Sequence, residues 1–378
     1  MPTVDFPANE FENRLSRTQK LMRADKRDAL FFTAEAEMRY FTGFRTLFWQ
    51  SPTRPWFLIV PASGKPIAVI PEIGHALMAK TWIDDIRTWA SPNASDDGIS
   101  LLAEALKPFK NIGMLMGRES CLRMSFLDFK ALQSRLPGAE FGDCSPLMQS
   151  IRMVKSKTEI EKIAAICAIA SASFENAAEL FHPGQTLKQA FKNFKIDLLN
   201  RGADDVPYLV GGCDQGGYSD VISPATDRPL EKGDILMLDT GASLDGYFCD
   251  FDRNFAVTSA SDAAKKAYRT LHNATDAGLN AARPGNTCAD VFCAMQKIID
   301  QDSNNVGRYG HGLGLQLTEP PSIIDFDNTV LKPGMVITLE PGMELGKNKI
   351  MVFEENLVIE DGPPRLLSRR APAELPIL

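Results

Sequence analysis

Histidine is scarce in this chain, four in 378 residues, so each one has to be accounted for. Seven cysteines are scattered at positions 121, 144, 167, 213, 249, 288 and 293, with no Cys-x-x-Cys pair. An odd, dispersed set argues against a disulfide framework or a thiolate zinc site, and for reduced, mostly buried thiols. No apolar run reaches the roughly 18–20 residues that a membrane span needs. Basic residues are the minority, 41 Lys and Arg against 48 Asp and Glu, and the net charge of −7 argues against a nucleic-acid partner. The opening MPTVDFPANEFENRLSR carries acids early and has no apolar signal core, so the expected location is the cytoplasm. Low-complexity tracts and short tandem repeats are missing as well.

The length suits two domains, because single cores stop growing beyond roughly 250–300 residues. Residues 9–25 have apolar positions at helical spacing, ALFFT reads as a buried strand, and WFLIVPASGKPIAVI reads as a hairpin. SLLAEALKPF and LRMSFLDFKALQSRL have the pattern of amphipathic helices. Alternating strands and helices predict an α/β layer domain over 1–150. In FWQSPTRPW, Trp49, Arg54 and Trp56 form either a packed aromatic loop or a substrate wall. Beyond residue 150 a helix is expected to start near Thr158 in T-E-I-E and to run to about Leu180, followed by helices over 186–200, 261–282 and 288–302. The strand-like stretches YLVGG, DILMLDTGA, GYFCDFDRNFAV, MVITLEPGM and IMVFEENLVI between them make 151–378 an α+β domain.

Two hairpins place acids on one face. In DILMLDTGASLDGYFCDFDR, folding about Ser243–Gly246 would set Asp239 opposite Asp250, with Asp252 at the same parity. Cross-strand Cβ atoms lie about 4.5–5.5 Å apart, and like charges directly opposite are destabilising. Either a shared cation holds the pair, or the register differs and one Asp faces solvent. In MVITLEPGMELGKNKIMVFEENLVIEDG, folding about Gly346-Lys347-Asn348 brings Glu340 opposite 354, within a residue. Adjacent strand residues face opposite ways, so one of Glu354 and Glu355 joins Glu340, and spacing does not choose.

His311 sits in GRYGHGLGLQL among glycines 307, 310, 312 and 314, which let a backbone pass close to its neighbours. Four inward carboxylates and one imidazole suit divalent first-row metals, and two ions would balance the acids. Such pairs lie about 3.5–4 Å apart and activate water.

These residues resemble the pita-bread metallopeptidases: methionine aminopeptidase, aminopeptidase P, prolidase and the non-peptidase creatinase. MRYFTGF is similar to the N-terminal motif of the prolidase and creatinase branch, and IRMVKSKTEIEKI to the segment that opens the catalytic domain. RPLEKGDILMLDTGA…GYFCDFDR, GRYGHGLGL, KPGMVITLEPGM and MVFEENLVIEDG resemble the metal motifs in family order. The resemblance implies Asp239, Asp250, His311, Glu340 and Glu354 as ligands of two divalent ions, with Asp250 and Glu354 bridging. Manganese is the first expectation, with cobalt, zinc or iron(II) as alternatives. It also implies a six-stranded curved sheet flanked by helices in the catalytic half, Glu340 as general base and a homodimer.

The chain departs from the family pattern at two histidines. Thr318 stands where a second histidine follows the ligand, and none occurs between Val210 and Asp234. Tyr218, Asp220 and Asp227 lie in that upstream segment, and Thr318, Tyr218 and Asp220 are the expected substrate-side residues. His75, His182 and His272 fall in the wrong segments. Three functions are therefore weighed. The first is an Xaa-Pro peptidase acting on small peptides. The second is a relative diverted to a small non-peptide substrate, like creatinase or the dimethylsulfoniopropionate-cleaving branch. The third is a binding module without catalysis.

Overall fold

The computed structural model describes residues 6–51, 54–299, 307–346 and 348–378. The chain divides into two compact units, Met1–Arg152 and Met153–Leu378. Residues 300–302 of the last expected helix and Lys347 of the expected turn lie outside the described residues.

The first unit contains α1 (Ala8–Ala24), β1 (Ala29–Phe32), α2 (Glu35–Thr42), β2 (Phe57–Pro61), β3 (Ile67–Pro71), β4 (Asp85–Trp89), α3 (Ile99–Leu106), β5 (Asn111–Met114), α4 (Phe126–Arg135) and β6 (Glu140–Asp143). Its sheet runs β4-β3-β2-β1-β5-β6, antiparallel at the β1–β2 and β2–β3 pairs and parallel elsewhere. The apolar runs on either side of PASGKP become β2 and β3, the hairpin read in the sequence. Phe31, Ile59, Val69, Leu102, Leu106 and Ile112 share one core between sheet and helices. Trp49 and Trp56 pack together at 5.9 Å between ring centroids, and Trp56 is 2% exposed, so these two tryptophans belong to a packed aromatic cluster.

The second unit opens with α5 (Lys157–Glu175) and α6 (Leu187–Asn200). The first helix starts one residue earlier than T-E-I-E suggested. Ser156 Oγ accepts the Glu159 amide and Glu159 Oε2 accepts the Ser156 amide, so two of the free amide donors at the helix start are used. There follow β7 (Asp205–Gln215), β8 (Asp234–Leu244), β9 (Tyr247–Phe248), β10 (Phe251–Ala256), α7 (Asp262–Ala281) and α8 (Cys288–Ile299). The last strands are β11 (Gly310–Gly312), β12 (Glu319–Ser322), β13 (Val336–Leu339), β14 (Gly342–Gly346), β15 (Lys349–Val352), β16 (Glu355–Val358) and β17 (Arg365–Leu366). Leu271 on α7 and Met295 on α8 share a core with Ile337, Leu339 and Leu357 of the strands.

The architecture is α+β, as the sequence indicates. The expected single six-stranded sheet is, in its backbone ladders, divided. One sheet runs β10-β8-β7 with β9 on β8, a second runs β12-β11-β13-β16-β17, and β14 pairs β15 as a ribbon. The division falls between β10 and β16, where side chains rather than peptide groups make the bonds. Of the seven cysteines, all free, Cys121 in the first unit and Cys293 in the second are exposed and the others are buried.

Candidate metal centre

The first acid hairpin turns at two residues. Asp245 and Gly246 take φ of 49° and 79°, the double positive φ of a type I′ turn. Leu244 therefore faces Tyr247, and Asp239 faces Asp252 rather than Asp250. The expected register was off by two residues, because the turn is the tight Asp-Gly pair and not the four-residue Ser243–Gly246. A shift of two preserves parity, so Asp250 still shares the face of Asp239. Asp250 itself lies between β9 and β10.

The second hairpin keeps one register from β13–β16 into β14–β15 as far as Glu344 opposite Ile350, and shifts only next to the turn, between Glu344 and Gly346. Leu339 faces Glu355 in the β13–β16 ladder and Gly342 faces Val352 in the β14–β15 ladder. Glu340 and Glu354 fall opposite each other where both strands are interrupted, at the position expected.

His311 lies on β11 between β12 and β13. A Cβ on Gly310 would come within 2.2 Å of the Thr338 carbonyl oxygen, and one on Gly312 within 2.3 Å of the Pro320 oxygen. The glycines thus let β11 press against both neighbours. His311 Nδ1 lies 2.8 Å from the Gly312 carbonyl oxygen. A carbonyl only accepts, so Nδ1 carries the proton and Nε2 presents its lone pair to the acids. Nε2 stands 3.2 Å from Asp250 Oδ2 and 3.7 Å from Glu340 Oε2.

One carboxylate oxygen from each of Asp239, Asp250 and Glu354 lies within 4.8 Å of the others. The three are buried, and Glu340 is partly exposed. Asp239 Oδ1 and Glu354 Oε2 are buried with no hydrogen-bond partner among the described residues. Unpartnered buried oxygens facing one another are costly unless a cation is shared. Burial pushes the carboxyls of Asp239, Asp250 and Glu354 well up, and mutual repulsion pushes Asp239 and Glu354 further. Glu340 is raised by burial, with His311 opposing and Asp250 adding to the rise. Oxygen-rich, acidic and with one imidazole, this donor set fits divalent metal ions.

Glu355 points away. Its Oε2 is 3.0 Å from Arg253 Nη2, its Oε1 is 3.2 Å from Arg370 Nη1, and its side chain is fully buried. Thr318 is half-buried in the loop before Glu319, whose carboxylate accepts from Lys155 Nζ at 3.2 Å and the Gln316 amide at 3.0 Å. Tyr218 does not fit the expected substrate role. It is 1% exposed, its hydroxyl donates to Asn254 Oδ1 and accepts the Val352 amide, and it acts as an internal post. Asp220 turns onto its own loop, accepting from the amides of Ile222 and Ser223.

Sequence reasoning missed Tyr208, Arg308 and Asn356. The Tyr208 phenol is pushed up by burial and then by the nearby charges of Asp239, Glu354 and Asp250. Its signal was a tyrosine on the strand paired with β8, where Tyr208 faces Gly241. Arg308 Nε lies 3.5 Å from Glu340 Oε1, three residues before His311.

Comparison with known proteins agrees with this architecture. Residues 14–154 match the Creatinase/Prolidase N-terminal domain. The chain is 26% identical over 361 residues to an Xaa-Pro dipeptidase of Pyrococcus furiosus, covering 94% of this chain and 97% of that one. It superposes on the dipeptidase PepE from Mycobacterium ulcerans with a TM-score of 0.85 at 25% identity, over 98% of this chain and 99% of the other. A recombinant prolidase from Thermococcus sibiricus shares the fold at a TM-score of 0.86 and 23% identity, over 97% and 99% of the two chains. Residues 161–361, more than half of the sequence, match the model of metallopeptidase family M24, and the chain belongs to that family.

Proposed function

We propose that the protein is a dinuclear metal-dependent peptidase acting on Xaa-Pro peptides. In this reading Asp239, Asp250, His311, Glu340 and Glu354 hold two divalent ions, manganese first among them, within a catalytic domain of residues 151–378 that follows an N-terminal domain of residues 1–150. The observation that carries it is the unpartnered Asp239 and Glu354 oxygens, set against the His311 lone pair. The Pyrococcus furiosus relative, named an Xaa-Pro dipeptidase, supports the substrate class over a diverted non-peptide substrate. A cytoplasmic homodimer is the accompanying proposal.

When bound, the ions supply positive charge and an acidified water. The residues do the rest. Glu340, partly exposed at the edge of the cluster, takes the proton of the attacking water and returns it to the leaving nitrogen. His311 keeps its neutral tautomer through the Gly312 carbonyl. Thr318 offers a hydroxyl to the scissile carbonyl, but it is shorter than histidine and does not ionise near neutrality.

The test is turnover of Xaa-Pro dipeptides and longer Xaa-Pro peptides by manganese-loaded protein, beside an authentic aminopeptidase P. Loss of one donor to a developing oxyanion costs about 10²–10³ in rate, so kcat/KM should fall short by that order. A value within about tenfold, ~1.4 kcal/mol of barrier, would show that Thr318 substitutes fully. No turnover of any peptide by the metal-loaded protein would overturn the peptidase reading.

A further inference from the structure

Backbone ladders stop between β10 and β16, and side chains take over. Asn356, fully buried on β16, faces Asp250. Its Oδ1 accepts the Asp250 amide at 2.9 Å and its Nδ2 donates to the Asp250 carbonyl at 2.5 Å. A carboxamide carries the same donor and acceptor edges as a peptide group. Asn356 therefore gives Asp250 both bonds that a neighbouring strand would give, at a point where Asp250 belongs to neither β9 nor β10. The same substitution recurs along the seam. Asp252 Oδ1 accepts the Glu354 amide at 2.7 Å, and Asn254 Nδ2 donates to the Val352 carbonyl at 2.8 Å. Asn356 is itself held on three sides. Cys167 Sγ donates to its Oδ1 at 3.3 Å, Ser368 Oγ meets its amide at 3.0 Å, and its carbonyl accepts the Leu367 amide at 2.8 Å.

Laddered strands lie about 4.8 Å apart, and an interposed side chain holds them wider. The gap so kept is where the carboxylates gather. We infer that Asn356 is a positioning residue for the metal centre. It fixes the Asp250 backbone against β16, which Glu354 immediately precedes, two residues before Asn356, and so sets the spacing of these two carboxylates. The inference rests on the proposed assignment of Asp250 and Glu354 as ligands. It gives Asn356 no contact with metal or substrate.

Two substitutions separate the clamp from its length. Asn356→Leu keeps the size and removes both bonds. Asn356→Gln keeps the carboxamide and lengthens its reach by one methylene. Manganese titration by calorimetry and amide hydrogen exchange of the metal-free protein over residues 247–253 are measured for both and for wild type. Asn356→Leu is expected to lose exchange protection at Asp250 and to bind manganese ~10–100-fold more weakly, the usual cost of losing an outer support. Asn356→Gln, which tolerates the fold better, is expected to keep the protection and still lose at least about tenfold in metal affinity. Wild-type metal affinity in both variants overturns the inference. If wild type binds no manganese, the ligand assignment fails separately. Exchange then decides alone: unchanged protection in Asn356→Leu overturns the clamp, and lost protection upholds it.

Discussion

Two adjacent residues at the start of β16 separate function from stability at this site. Glu354 and Glu355 are adjacent, yet one faces unpartnered acids and the other two arginines. Glu354→Gln removes a charge from a repulsive group and should leave the metal-free protein at least as stable, while abolishing the full metal complement. Glu355→Gln strips the counter-charge from Arg253 and Arg370 and should cost about 3 kcal/mol, the lower range for breaking a buried pair. It should keep its metal at temperatures where it is folded. Thermal melts and elemental analysis of the two variants check this, and metal loss confined to Glu355→Gln would show that the register is misread. The alternation of faces was legible in the sequence. Which face meets the arginines was not, because Arg253 and Arg370 reach Glu355 from other strands and loops.

At the scale of elements, the second hairpin was readable because its one register shift, between Glu344 and Gly346, lies beside the turn and leaves the register at the acids within a residue of simple folding, so Glu340 met Glu354. The first was misread by two residues, because a turn of two residues and a turn of four differ only in which of Ser243 to Gly246 stay in the ladder. Seam bonds are harder still to read. Asn356 and Asp250 are 106 positions apart, and nothing local in either sequence marks the pair. The β11 strand gives a direct test of close approach. Gly310 takes φ of 144° and lies under the Thr338 carbonyl, so Gly310→Ala has neither the conformation nor the space. It should lower stability by more than the ~1 kcal/mol that Gly-to-Ala changes gain at compatible sites, and displace His311. Chemical denaturation and manganese titration of this variant are the measurements. Unchanged values in both would show that β11 has slack.

For the molecule as a whole, acids of opposite character set the pH response. Burial pushes the Asp234 carboxyl up, but Arg228 at 2.6 Å, the Glu231 amide and Cys213 pull it below the ordinary value. A lowered carboxyl contributes stability above the ordinary carboxylate range and loses it as pH falls through the folded value. Asp239, Asp250 and Glu354 are raised, so their contribution is present below that range and is lost as pH rises towards their folded values. Metal-free protein should therefore lose stability on both the acid and the alkaline side. Divalent metal, which requires deprotonated ligands, should remove the alkaline loss and release protons on binding. Thermal melts across pH with manganese or with a chelator check the sign. A metal-induced rise in Tm that shrinks with increasing pH would contradict it.

The distribution of thiols has a practical side. Cys167 and Cys249, packed behind the acids, are buried and pushed up by burial, while Cys121 and Cys293 stand at the surface, one in each unit. A maleimide dye should find these two positions first and spare the catalytic interior. The native chain thus already carries attachment points for a donor and an acceptor, and resonance energy transfer between them would report any change in how the two units are arranged as peptide or metal is added.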